Sequence, residues 1–284
     1  LIVQPEHVTS TVSVYGQIRQ APSLEEPKGQ EGVATIVDRM FDYGSQQHDR
    51  LAFQAALDAI AADENAGAGF MLKVQSAHFA EGLSLLAENE LHPVFPAEAF
   101  AVVQKQTAGS LAGLLQSPDY LFGRAMLKGL VPANDPSLRQ ATPQTVMALT
   151  PADAEAFYRK AFRPDLTTIV IVGDVTPEQA RGEVEKAFGG WKNDGPTPVV
   201  DLPPVPLSGP SHNYVPNRSA LQANISLAET LGLKPDQPDH FTLTLGNEIL
   251  GDGFSSRLYR DLRVKGGYVY SVSSRLNWGR TRSE

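Results

Sequence analysis

Seven prolines stand between Lys192 and Arg218: Pro196, Pro198, Pro203, Pro204, Pro206, Pro210 and Pro216. Each fixes its own φ and removes a backbone donor, so neither a helix nor a central strand runs easily through this segment. An extended, semi-rigid connector is the form that remains. The sequence therefore reads as a first domain over residues 1–195, a linker over 196–217 and a second domain over 218–284. The pattern restarts after the linker, with a strand expected at 221–228 and a helix at 238–250 carrying Phe241, Leu245 and Ile249 at four-residue spacing, then Gly251-Asp252-Gly253. The first domain offers the same order. Val12, Val14 and Gly16 alternate with Ser13, Tyr15 and Gln17 as a strand, and a helix over 33–43 ends in Met40-Phe41-Asp42-Tyr43-Gly44. This repetition suggests a weak internal duplication of a whole domain whose second copy is cut short.

The rest of the first domain reads as mixed α and β. Phe53, Ala56, Leu57 and Ile60 form an amphipathic stripe, and further helices are expected at 78–90 and 96–116. Thr150, Pro151 and Asp153 form a helix start, as do Thr176, Pro177 and Gln179. Between these two helices the apolar run over 166–172 reads as a buried strand closed by Gly173-Asp174.

Composition removes several functions. With 24 basic against 32 acidic residues the net charge is −8, which argues against a nucleic-acid partner. No apolar run reaches the length of a membrane span. The chain has no cysteine, hence no disulfide, thiolate nucleophile or Cys-based zinc site. Its six histidines show no i, i+3 or i, i+4 pairing. Gly67 and Gly69 are the first two glycines of a dinucleotide fingerprint, but Leu72 stands where the third belongs, and a helix is expected before them. Neither Ser110 nor Ser211 lies in a nucleophile elbow.

From Gly32 to Ser45 the chain reads Gly-Val-Ala-Thr-Ile-Val-Asp-Arg-Met-Phe-Asp-Tyr-Gly-Ser. By itself this is a core helix carrying Val33, Ile36, Val37 and Met40. It also resembles the zinc helix of the insulinase/pitrilysin, or inverzincin, peptidases, Gly-Leu-Ala-His-x-x-Glu-His-Met-x-Phe-x-Gly-Thr. In that register Thr35 takes the first His position, Asp38 the Glu position and Arg39 the second His position. Thr35 is a poor zinc ligand, and the permanent charge of Arg39 sits where a dication belongs. The family's third ligand is a Glu roughly 70 to 80 residues further on. Residues 99–118 hold no carboxylate, only Gln104, Gln106 and Gln116 among candidate polar side chains of that shape.

The resemblance extends through Glu81-Gly82-Leu83 to His92-Pro93-Val94-Phe95, through Phe157-Tyr158 and Arg163-Pro164, and to Val170-Ile171-Val172-Gly173-Asp174. Its most specific part is Ser255-Ser256-Arg257-Leu258-Tyr259, then Leu262-Arg263-Val264-Lys265-Gly266-Gly267-Tyr268-Val269-Tyr270-Ser271, beside the family's Ser-Ser-Arg-Leu-Phe and Leu-Arg-x-x-x-Gly-Leu-x-Tyr-Ser. Leu258 and Leu262 anchor a short helix, and Tyr268, Tyr270 and Val272 are expected on one face of a following strand. Without the resemblance Arg263 is a solvated helix-end cation and Tyr270 a half-buried strand aromatic. With it, Arg263 and Tyr270 correspond to the substrate-binding pair that the zinc-free half reaches across to the catalytic half. Tyr268 stands where the family has Leu.

The resemblance implies an α+β fold of duplicated insulinase-like domains, each a mostly antiparallel sheet with helices on one face, the second truncated. It implies a noncatalytic half or subunit of a zinc metalloendopeptidase, with no catalytic residue or metal of its own. Zinc is expected in a His-x-x-Glu-His partner half, fused or separate, with a peptide as substrate and the periplasm as the compartment. The rival expectation is a structural or peptide-binding module of the same fold with no part in catalysis.

Overall fold

The computed structural model describes residues 1–193 and 195–283. Five strands are formed, β1 (Ile2–Pro5), β2 (Thr11–Ile18), β3 (Asp63–Asn65), β4 (Gly69–Gln75) and β5 (Thr167–Gly173). The helices are α1 (Pro22–Glu25), α2 (Val33–Met40), α3 (Arg50–Ala59), α4 (Phe79–Leu91), α5 (Ala97–Leu114), α6 (Pro118–Leu130), α7 (Pro143–Ala148), α8 (Pro151–Ala161), α9 (Pro177–Phe188) and α10 (His240–Leu250). They fall into two compact units, one of Leu1–Leu115 with Arg139–Val200, the other of Gln116–Leu138 with the chain from Asp201 onward. No helix among the described residues is long and apolar enough to cross a membrane.

The first unit is built on one sheet in the order β1-β5-β2-β4-β3. Only β1 and β5 run parallel; β2 is antiparallel to both β4 and β5, and β3 to β4. Alternation in the sequence becomes two-sidedness here. Val12, Val14, Phe70, Leu72, Val74 and Ile171 are buried on one face, whereas Tyr15 on β2 is 54% exposed on the other. The helices cover the buried face: α2 packs on α5 and α8, α4 on α9 and on strand β4. Val170 and Val172, read from the sequence as part of a buried run, are only partly buried.

Three helices begin in reciprocal capping boxes, Thr142 with Thr145, Thr150 with Asp153 and Thr176 with Gln179, and each has proline in its first turn. The last two starts are those expected from the sequence. Before Gly67 the structure has β3 rather than helix, because α3 ends at Ala59 and the chain turns through Ala61 at φ 48° into the sheet edge.

The second unit holds α6, α10 and a π-helical turn, Tyr259–Lys265. A two-pronged ion pair joins its two chain segments: Arg282 donates from Nη1 to Asp135 Oδ1 at 3.0 Å and from Nη2 to Oδ2 at 2.9 Å. The strands expected at 221–228 and 268–272 are not formed. Neither stretch has a ladder partner among the described residues, and Leu221, Ile225 and Leu227 are almost fully exposed. A β-pattern specifies which side chains alternate; it becomes a strand only where a second backbone takes its hydrogen bonds.

Gly16 pairs with Phe70 across β2 and β4, and a Cβ at Gly16 would lie 1.9 Å from the Phe70 ring, which itself stacks on Phe188. Gly16→Ala should therefore cost about 1 to 3 kcal/mol of stability in urea unfolding. An unchanged midpoint would mean that the ring is not confined.

Candidate functional site

Helix α2 presents one fully buried stripe, Val33, Ile36, Val37 and Met40, to the core, and this periodicity turns Thr35, Asp38 and Arg39 outward. All three are exposed. Arg39 donates from Nη1 to the Thr107 hydroxyl on α5 at 3.3 Å. Asp38 accepts from the Ala68 backbone N–H at 3.1 Å. Helix α5, where the resemblance would place a third ligand, offers Thr107 there, and its Gln104 is spent on the carbonyls of Val146 and Leu149 at 3.0 and 2.9 Å. Zinc therefore does not fit this helix pair: a guanidinium and a hydroxyl meet where imidazoles and a carboxylate would be needed. Among the described residues no three His, Asp or Glu side chains come together as metal ligands.

Beside the end of α2 lies a cleft of about 520 Å³ between Phe41, Phe53 and Leu57 on its apolar side and Asp42, Glu64 and Asn89 on its polar side. Glu64 accepts from Asn89 Nδ2 at 3.2 Å. Behind it Glu90 is fully buried and takes the Gly67 N–H at 2.9 Å. Gly67 has φ 133°, and a Cβ there would meet Asp38 Oδ1 at 2.4 Å, so only glycine lets Asp38 and Glu90 close on this turn. Burial, with the nearby charges of Glu64 and Asp38, pushes the Glu90 carboxyl well above its ordinary range. Burial, with Asp42 and Asp63, pushes Glu64 up to about 7 despite the Asn89 hydrogen bond. Sequence reasoning passed over this cluster, although one signal was present. Phe79, Leu83, Leu86 and Glu90 follow helical spacing, so a carboxyl interrupts an apolar stripe.

Arg263 and Tyr270 come together in the second unit. The guanidinium carbon of Arg263 lies 5.3 Å from the Tyr270 ring centroid, a cation–π contact, and both side chains are exposed. The π-helical turn delivers Arg263, Gly267 at φ 62° reverses the chain, and the Tyr268 N–H donates to the Leu262 carbonyl at 3.0 Å. Tyr270 thus arrives through a tight turn, not on a strand. Tyr268 is equally exposed.

With this geometry in place, the comparisons with known proteins carry direct meaning. The α+β architecture is that of the M16 peptidases. A solved peptidase M16 inactive domain from Pseudomonas fluorescens superposes with a TM-score of 0.80 at 23% identity, covering 99% of this chain and 69% of that one. The first half of the periplasmic protease PqqL from Escherichia coli superposes at 0.54 over 71% of this chain and 46% of its own. Residues 148–282 match the family described as the peptidase M16 inactive domain. Among curated relatives, the non-peptidase homolog YmxG of Helicobacter pylori is 23% identical over 99% of this chain and 65% of its own length. A Bacillus subtilis protein called an uncharacterized zinc protease YmxG is 22% identical over 86% and 59%. The chain thus spans about three fifths of the length of these relatives.

Glu64 also sets a pH dependence. Its folded value lies above the ordinary carboxyl value of 4.5, so its contribution to folding is whole below pH 4.5 and is lost as pH rises through 7. Glu64→Gln should gain on the order of 2 kcal/mol at pH 8 and almost nothing at pH 4, flattening the decline in urea-unfolding free energy between them. Equal effects at both pH values would contradict the burial of an ionised Glu64.

Proposed function

We propose that this chain is the noncatalytic half of a zinc metalloendopeptidase, serving a partner half that carries the intact His-x-x-Glu-His helix. The observation that carries the reading is the pairing of Arg263 with Tyr270 on an exposed surface, in a chain whose own α2 meets α5 through Arg39 and Thr107. In this reading the zinc of the partner polarises the scissile carbonyl and its bound water. Arg263 and Tyr270 hold the substrate carbonyl and donate hydrogen bonds where negative charge develops. The guanidinium stays charged through the reaction, and the phenol adds a neutral donor; such donors are worth about 2 to 4 kcal/mol of barrier each. The ring face of Tyr270 limits the directions Arg263 can take, so less ordering is left for the moment of substrate binding.

The proline-rich segment 196–217 is then the connector between a domain over residues 1–195 and one over 218–284, and the two halves enclose the peptide between them. The periplasm, where PqqL is said to work, is the proposed compartment. A second reading is favoured by the name non-peptidase homolog given to the Helicobacter relative: a binding or structural module with no part in catalysis.

The two are separated by assembling the chain with the zinc-bearing M16 protein that co-purifies with it and assaying cleavage of an unstructured peptide. Arg263→Ala with Tyr270→Phe should lower kcat/KM at least about 100-fold, with zinc content and elution volume unchanged. An unchanged rate would establish the module reading.

A further inference from the structure

The cleft beside α2 contains an acceptor that the fold leaves unsatisfied. Asn89 is 2% exposed; its Nδ2 is engaged by Glu64, but its Oδ1 meets no hydrogen-bond partner among the described residues. The adjacent Glu90, at 0% exposure, has Oε2 on the Gly67 N–H and Oε1 without a partner. A buried acceptor left unpaired has given up its water without a replacement. Glu90 lies behind the lining, so Asn89 Oδ1 is an acceptor at the cleft wall that lacks a donor among the described residues.

The charge of the site defines that donor. Asp42 and Glu64 line the cleft and act on one another through space, and this pair of carboxyls opposes an anion. Of the donors at the cleft, Gln54 donates to Asp58 Oδ1 at 2.9 Å, and the exposed Arg50 holds its guanidinium 5.2 Å from the Tyr43 ring centroid. Phe41, Phe53 and Leu57 add apolar lining suited to a methylene stem.

We propose that this cleft binds a primary ammonium or guanidinium on an alkyl stem, presented as the lysine or arginine side chain of a peptide, with Asp42, Glu64 and Asn89 receiving its N–H donors. The site lies on the first unit and rests on nothing in the Arg263 and Tyr270 reading. It would give the chain a side-chain preference of its own among the peptides it binds.

The test is a titration of the isotope-labelled chain at pH 8, followed by amide shifts, with N-acetyl-lysine methylamide, its neutral analogue N-acetyl-norleucine methylamide, n-butylamine and zinc ion. The lysine derivative should give saturable shifts at Gly67 and Asn89, at least about tenfold tighter than the norleucine derivative. Glu64→Gln and Asp42→Asn should each weaken it at least about fivefold. Asp42 is exposed, so its variant serves even if the Glu64 variant fails to fold. Equal binding of the norleucine derivative, absence of saturable shifts, or shifts from zinc and not from the lysine derivative would overturn the proposal. Tighter binding of n-butylamine than of the lysine derivative would overturn its assignment to peptide side chains.

Discussion

The buried stripe of α2 is the constraint on which the rest of the first unit depends. Val33, Ile36, Val37 and Met40 have no exposed surface, and each buried aliphatic side chain of this size contributes about 1.5 to 3 kcal/mol. The helix cannot rotate about its axis without exposing them. Its rotation fixes what Thr35, Asp38 and Arg39 face, brings Arg39 to Thr107 on α5, and sets Asp38 beside Gly67. The helix that carries the zinc ligands in the family it resembles is thus kept here by its apolar side alone. The core needs that side whether or not chemistry uses the other, and the substitutions fall on the side the core does not need.

A second consequence follows from where the freed side chains lead. Asp38 accepts a backbone N–H from the turn between β3 and β4, and that turn delivers the Gly67 N–H to Glu90. The polar face of α2 is therefore joined to a buried acid cluster on α4 and β3. Fully satisfied buried networks rigidify a core, while partly satisfied ones hold a cost that a ligand can relieve. Asn89 and Glu90 belong to the second kind.

Much of this was legible in the sequence because it is local. The Thr150 and Thr176 helix starts carry their own caps, β2 carries its own alternation, and the stripes of α2 and α3 carry their own period. What escaped depends on partners distant in sequence. Strand β4 is a strand because β2 lies beside it; Gly69-Phe70-Met71-Leu72 on its own looks like the approach to a turn. Helices α6 and α7 went unread because Pro118 and Pro143 look like breaks until they are seen at first-turn positions, where proline is favourable. Conversely, residues 221–228 carry a strand pattern but no ladder, since alternation cannot supply the second backbone. For the candidate site, Arg263 and Tyr270 were singled out through the family resemblance of their motifs, whereas the contact of Glu64 with Asn89 joins residues 25 apart in sequence.

The chain has the fold of the solved peptidase M16 inactive domain, and among the described residues no side chains come together as metal ligands. The most direct measurement is the zinc content of the purified chain after saturation with zinc and desalting, read by elemental mass spectrometry and paired with a peptide-cleavage assay of the same sample. The account predicts far less than one zinc per chain and no cleavage. One zinc per chain, with cleavage that a chelator abolishes and added zinc restores, would contradict it.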